Sequence, residues 1–195
     1  MTGGATRTEQ CQALVAGADA WNELRSEQDS LFRPELDGFA LPGGNLAGAR
    51  LGGARMSGAR LAEADLRGVD LRGGVLDGAD LRGADLRDAE LVGCRLIGAR
   101  LDGAWLDRAS IFEANLRGAS LAGARMHRCD IAFADLSGAD LSRVDLAGVT
   151  SWDGLGGKLG GTVLRAIENP PSGFLELARS AGAIVDSEPN IEEVS

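Results

Sequence analysis

From Leu41 to Leu146 every fifth residue is a large aliphatic side chain, Leu throughout except Met56, Ile111, Met126 and Ile131, which makes 22 consecutive pentads. Two residues before each of the last 21 of these centres stands a small or β-branched residue. The series opens Gly44, Ala49, Ala54, Ala59, Ala64, Val69 and Gly74 and continues mostly as Ala, with Cys94, Cys129 and Val144 as variants. Two residues after the centre the chain usually carries Gly. A period of five fits neither the 3.6 of an α-helix nor the 2.0 of a plain strand, and helical winding would scatter these leucines around the cylinder. The pattern instead requires a backbone that turns a corner every five residues, so that one large and one small side chain per pentad point inward. Glycine serves the corners, where positive φ is needed.

The ends read differently. Cys11, Leu14, Val15, Ala18, Trp21 and Leu24 fall at helical spacing, which predicts one amphipathic helix from about Thr8 to Gln28, placed to cover the first ring of leucines. Downstream the register fails at Ser151, and Trp152 to Lys158 reads as a glycine-rich exit. Gly161 to Ile167 offers a strand. Pro170-Pro171-Ser172 opens a helix through Arg179 with Gly182 as its C-cap, and Ile184-Val185 packs back. The organisation expected is therefore an N-terminal segment with its capping helix (1–35), a repeat body (36–149), a C-terminal cap (150–185) and an acidic disordered tail (186–195).

Composition narrows the function. Twenty-nine glycines, no tyrosine and eight Phe and Trp together mark a repetitive chain. The formal charge of −9 argues against direct nucleic-acid binding and against docking on an anionic membrane. The acidity is terminal: 14 Arg face 16 Asp and Glu within 36–149, so the body is almost neutral. No apolar signal core follows Met1 and no run of eighteen apolar residues occurs, so a cytoplasmic address is expected. Three cysteines at unrelated spacings fit reduced thiols, with Cys94 and Cys129 as core fillers. The lone histidine, His127, follows an inward Met126 and is expected to point into solvent. The glycine-rich exit fits neither a phosphate loop nor a dinucleotide fingerprint. No catalytic, metal or cofactor constellation emerges, so the chain reads as a binding protein, not an enzyme.

The units Ala-Asp-Leu-Arg-Gly, Ala-Asp-Leu-Ser-Gly and Ala-Asn-Leu-Arg-Gly resemble the A(D/N)LXX signature of pentapeptide-repeat proteins over about residues 36–149. Trp21-Asn22-x-x-Arg25 is similar to short leader helices that precede other such arrays. The resemblance implies an all-β solenoid, a right-handed quadrilateral β-helix with four pentads per coil, about five and a half coils long. It implies a rod on the order of 25 Å with helical caps at both ends. It also implies, from the topoisomerase-protecting members, a DNA-mimicking protein that binds DNA gyrase or topoisomerase IV and gives resistance to topoisomerase-poisoning antibiotics, pairing as a homodimer through its C-terminal cap. With residues twenty apart stacked, two surfaces stand out as partner sites. Asp130, Asp135, Asp140 and Asp145 form an acidic collar, one on each side of a coil. Val92 and Phe112 share a column near Phe133, with Ile97 and Trp105 approaching from adjoining faces, as an apolar patch. No face is a continuous run of negative charge, so a general interaction scaffold docking a partner on the apolar patch stands as the alternative to duplex mimicry.

Overall fold

The computed structural model describes residues 4–149, 151–155 and 158–186. Its body is a ladder of single parallel bridges between residues twenty apart, from Glu35↔Arg55 through Arg100↔Ser120 to Arg125↔Asp145. Four pentads therefore make one turn. Regular strand is confined to short pairs because a corner every fifth residue leaves only one bridging position on each side. The backbone is satisfied in a fixed pattern. The centre's N–H donates to a carbonyl of the next coil, as Leu96 does to Asn115 at 2.7 Å, and the bridge residue donates back, as Arg55 does to Pro34 at 2.8 Å. At each corner the small residue's N–H returns to the centre's carbonyl, as in Ala49 to Leu46 at 3.0 Å, with the intervening Gly48 at φ +71°. That is the turn geometry that favours glycine at its third position.

The leucine and alanine positions form one continuous core, buried from Leu46 to Val149. Leu41 in the first coil is only half-buried, and its side chain leans over Gly44, where a Cβ would lie 2.1 Å from Leu41 Cγ.

The expected single N-terminal helix is two. α1 spans Arg7–Ala16 and α2 spans Ala18–Ser26, broken at Gly17, whose φ of 114° no helix accommodates. Thr6 and Glu9 form a reciprocal capping box that fixes the start of α1. Trp21 is fully buried, donating from Nε1 to Arg50 O at 2.8 Å, and Asn22 clasps the same stretch through Gly48 O (3.0 Å) and Arg50 N (2.8 Å).

At the other end the ladder does not stop where the pentads do. Asp130 bridges Ser151, Asp140 bridges Val163 and Asp145 bridges Glu168. Ile131 N reaches Ser151 O and Leu136 N reaches Lys158 O, so the sequence distance between bonded groups grows from 19 in the regular coils to 20 and then 22. Three inserted residues are absorbed without losing the coil. β1 (Val163–Leu164) pairs in parallel with β2 (Ile184–Val185), and α3 (Phe174–Ser180) lies between them in sequence. The helix begins after the Pro170-Pro171 pair rather than on it. Gly182, at φ 82°, donates to Arg179 O at 3.1 Å and turns the chain into β2. Leu155, Leu159, Leu164, Phe174 and Ala178 extend the core here. The tail expected to be disordered lies, from residue 187 on, outside the described residues. No described helix is long and apolar enough to cross a membrane.

Candidate interaction surfaces

The outer surface is built from the bridge position and the two residues after each centre. In the middle coils several bridge-position aspartates are neutralised locally. Asp65, Asp70, Asp80 and Asp85 each receive a two-pronged hydrogen bond from the arginine two residues on, as from Arg82 Nε at 2.7 Å and its terminal nitrogen at 2.6 Å. The arginine hydrogen bond holds each of these carboxyls below its ordinary value. A carboxyl depressed in the folded state stabilises above its unfolded pKa, near 3.9, and loses that contribution as pH falls through the folded value. The melting temperature of the protein is therefore expected to fall modestly below about pH 4, and Arg67→Gln/Arg82→Gln to have a shallower acid limb in thermal melts. The pairs are mostly exposed, so the effect at neutral pH is small.

The collar aspartates occupy the same bridge position, one on each of four successive sides, and each accepts a hydrogen bond from the backbone two residues on: Ala132 (3.1 Å), Ser137 (3.1 Å), Ser142 (2.9 Å) and Ala147 (3.0 Å). All four are half-buried, and Asp130, Asp140 and Asp145 are bridged by the irregular coil that follows. Asp135 is also paired with Arg117 at 3.6 Å. Burial pushes Asp145 upward, but hydrogen bonds from Asn169 and His127 outweigh it and hold its carboxyl low.

The apolar set divides. Val92, Phe112 and Ala132 follow the bridge column Glu90, Ser110 and Asp130, and Phe112 meets Phe133 edge to face, centroids 5.6 Å apart. Phe133 sits at φ 58°, where most other pentads carry Gly, with its ring over Gly154, where a Cβ would meet it at 2.3 Å. It remains 43 % exposed. Ile97 (38 % exposed) and Trp105 (41 % exposed) lie on the two sides flanking this one and so face away from each other. Trp105 is held between guanidinium groups, Arg87 at 5.0 Å and Arg125 at 5.5 Å.

His127 corrects the sequence reading. Its ring is not free in solvent but strung between two carboxylates, with Nδ1 2.9 Å from Asp107 and Nε2 2.5 Å from Asp145. Asp145 in turn accepts from Asn169 at 2.9 Å, which ties the last regular coil to the segment after β1. Asp107 is nearly buried, and its Oδ2 has no hydrogen-bond partner among the described residues. The signal that would have found this cluster is spacing: Asp107 is twenty residues before His127 and Asp145 eighteen after it. Cys94 and Cys129 are buried as expected. Burial pushes the Cys94 thiol up to about 12 and the Cys129 thiol up as well, which leaves both poor nucleophiles.

A four-sided coil with these pentads defines a class, and comparison agrees. The family described as pentapeptide repeats matches residues 43–78, 75–111 and 109–148, more than half of the chain. The chain belongs to the pentapeptide-repeat family, whose members fold as right-handed quadrilateral β-helices. A comparison with curated protein sequences finds no match. Among solved structures the chain is similar to HetL, a pentapeptide repeat protein involved in heterocyst differentiation regulation from the cyanobacterium Nostoc sp. strain PCC 7120. The identity is 24 %, covering 77 % of this chain and 71 % of that one, with a TM-score of 0.49. It is similar to the pentapeptide repeat protein Rfr23 from the cyanobacterium Cyanothece 51142 at 27 % identity, covering 62 % and 88 %, TM-score 0.39. It is also similar to QnrB1, a plasmid-mediated fluoroquinolone resistance protein, at 16 % identity, covering 80 % and 93 %, TM-score 0.29.

Proposed function

We propose that this chain is a non-catalytic binding rod that docks a partner protein on the side carrying Phe112 and Phe133. The observation that carries the reading is Phe133. A large aromatic ring occupies a left-handed backbone position where the repeat favours glycine, at a cost on the order of 1 kcal/mol, and is left substantially exposed beside a second aromatic. Exposed aromatic pairs of this kind act as anchors in protein interfaces. In this reading the repeat body of about five and a half coils is a rigid spacer, closed by α1 and α2 at one end and by α3 with β1 and β2 at the other. Val92 and Ala132 extend the anchor along its column, and Ile97 and Trp105 contribute only where a partner wraps onto the flanking sides.

A second reading is topoisomerase protection by duplex mimicry, favoured by the net charge of −9 and by the resemblance to the family's topoisomerase-binding members. Its acidic collar is spread over four sides, so Asp130, Asp135, Asp140 and Asp145 meet one partner together only if a homodimer, formed through the C-terminal end, joins two collars. A cytoplasmic address suits either reading, and neither needs a cofactor or direct nucleic-acid contact. One experiment separates them. Purified protein is titrated into a DNA gyrase supercoiling and cleavage assay with and without a fluoroquinolone, and affinity capture from cell extract is run in parallel. Docking on the aromatic side predicts that Phe112→Ala/Phe133→Ser loses the captured partner while the four-fold Asp→Asn collar variant keeps it. Inhibition or rescue of gyrase that disappears in the collar variant alone would replace this reading with mimicry.

A further inference from the structure

Between the end of α2 and the first coils lies an open pocket of about 410 Å³ lined by Arg25, Ser26, Arg50, Gly52 and Asp70. The pocket exists because of local sequence. Gly52 holds the position that Arg72, Val92 and Phe112 fill in the coils stacked beyond it, so no side chain covers this part of the column. Arg50 is fixed at its backbone from both directions, its N–H donating to Asn22 Oδ1 at 2.8 Å and its carbonyl accepting from Trp21 Nε1 at 2.8 Å. Arg25 lies with its guanidinium 5.5 Å over the Phe32 ring and donates to Asp29 O at 3.4 Å. The stem of Arg33 crosses Gly53, where a Cβ would lie 3.0 Å from its Cδ, bringing a third arginine close by.

Two arginines against one carboxylate leave this pocket net positive, with Asp70 held low chiefly by Arg72 and in smaller part by the charge of Arg50. Among the described residues neither Arg25 nor Arg50 forms a salt bridge, whereas Arg72, one coil above, pairs with Asp70. The one lining carboxylate, Asp70, is already committed to Arg72 through bonds of 2.9 and 2.7 Å. The carbonyl end of α2 is the negative pole of that helix and counts against an anion, in part offset by hydrogen bonds to its last carbonyls. Glu23 O accepts from Ser26 Oγ at 2.7 Å, Leu24 O from Glu27 N at 3.2 Å and Arg25 O from Gln28 N at 3.3 Å, so three of the last four carbonyls of α2 already hold a donor.

We propose that this pocket binds a small polyvalent oxyanion of the phosphate type, gripped by Arg25 and Arg50. Guanidinium groups match phosphate oxygens through paired N–H donors, and ring packing limits the freedom that Arg25 loses on binding, while Arg50 is anchored only at its backbone. The protein as a whole is acidic, so a general attraction for anions is absent and any binding must be local.

The test is titration of the full chain with inorganic pyrophosphate at fixed ionic strength, read by calorimetry and by amide NMR. Saturable binding is expected, with the largest shifts at Arg25, Ser26, Arg50 and Gly52. Affinity is expected to fall at least about tenfold in Arg25→Gln and in Arg50→Gln, each removing a charge-assisted pair of bonds, at unchanged melting temperature. Gly52→Glu leaves both arginines in place, puts a carboxylate into the pocket and is expected to abolish binding. Absence of saturable binding, or binding that survives both Arg→Gln variants and Gly52→Glu, overturns the proposal.

Discussion

Leu101→Ala is expected to destabilise the protein by about 2 to 5 kcal/mol, toward the upper end of that range. Leu101 is 1 % exposed in mid-ladder, with Leu81 and Leu121 one coil away on either side and Leu96 and Leu106 at the neighbouring corners, all buried. The cost of a cavity depends on how far its walls collapse, and here they are held apart by the backbone. Leu101 N donates to Ser120 O at 2.6 Å and Leu81 N to Arg100 O at 2.8 Å, so coil spacing is set by hydrogen bonds and not by side-chain volume. Leu41→Ala, in the half-buried first coil, is expected to cost much less. Urea denaturation followed by circular dichroism measures both. Equal losses at the two positions would mean that stability is not carried by the stacked leucine rings.

The burial of Leu101 was readable from the amino acids, because an unbroken five-residue register leaves one solution for the side-chain directions, whereas the half-burial of Leu41, in the same register, was not. The same arithmetic reaches further than composition suggests. Contacts across coils recur at spacings of eighteen and twenty: Asp37 with Arg55, Asp77 with Arg95, Asp102 with Ser120 and Arg117 with Asp135 at eighteen, and Asp88 with Arg108 at twenty. A residue just after a centre lies below the bridge residue of the next coil, which gives eighteen. Read with these two intervals, the sequence places His127 between Asp107 and Asp145, whereas reading it only against its neighbour Met126 sends it into solvent.

Other features were hidden for physical reasons. The apolar spacing from Cys11 to Leu24 is helical throughout, and periodicity is blind to the single glycine whose φ breaks α1 from α2. Beyond Val149 the pentad register is lost, yet the bridges continue, since the ladder needs only a backbone N–H and C=O at the right height and tolerates insertions at the corners. The aromatic side was half legible: the twenty-residue column put Val92 and Phe112 together with Phe133 near them, but that the Phe133 ring would lie over Gly154 depends on the inserted exit segment. The arginine pocket was not legible at all, because it needs the position of α2 against the first coils.

Trp21→Ala is expected to cost about 3 to 5 kcal/mol, the range for truncating a fully buried large aromatic. Two losses combine. The indole fills the space between α2 and the first coil, and its Nε1–H satisfies Arg50 O, a carbonyl that then loses its donor. Trp21→Phe keeps most of the volume and removes only the donor, so about 1 kcal/mol is expected from the hydrogen bond alone, with any remainder from imperfect packing. A solenoid transmits such damage only to adjacent units, so the effect should be graded along the rod. Native-state hydrogen exchange in Trp21→Ala is expected to speed up at Leu46, Ala49 and Leu51, whose N–H groups bond within the first coil or to the second, while Leu96 and Leu101 keep their protection. Uniform loss of protection would mean that the rod unfolds as one unit, and unchanged exchange at Leu46 to Leu51 would mean that α2 does not seal the first coil.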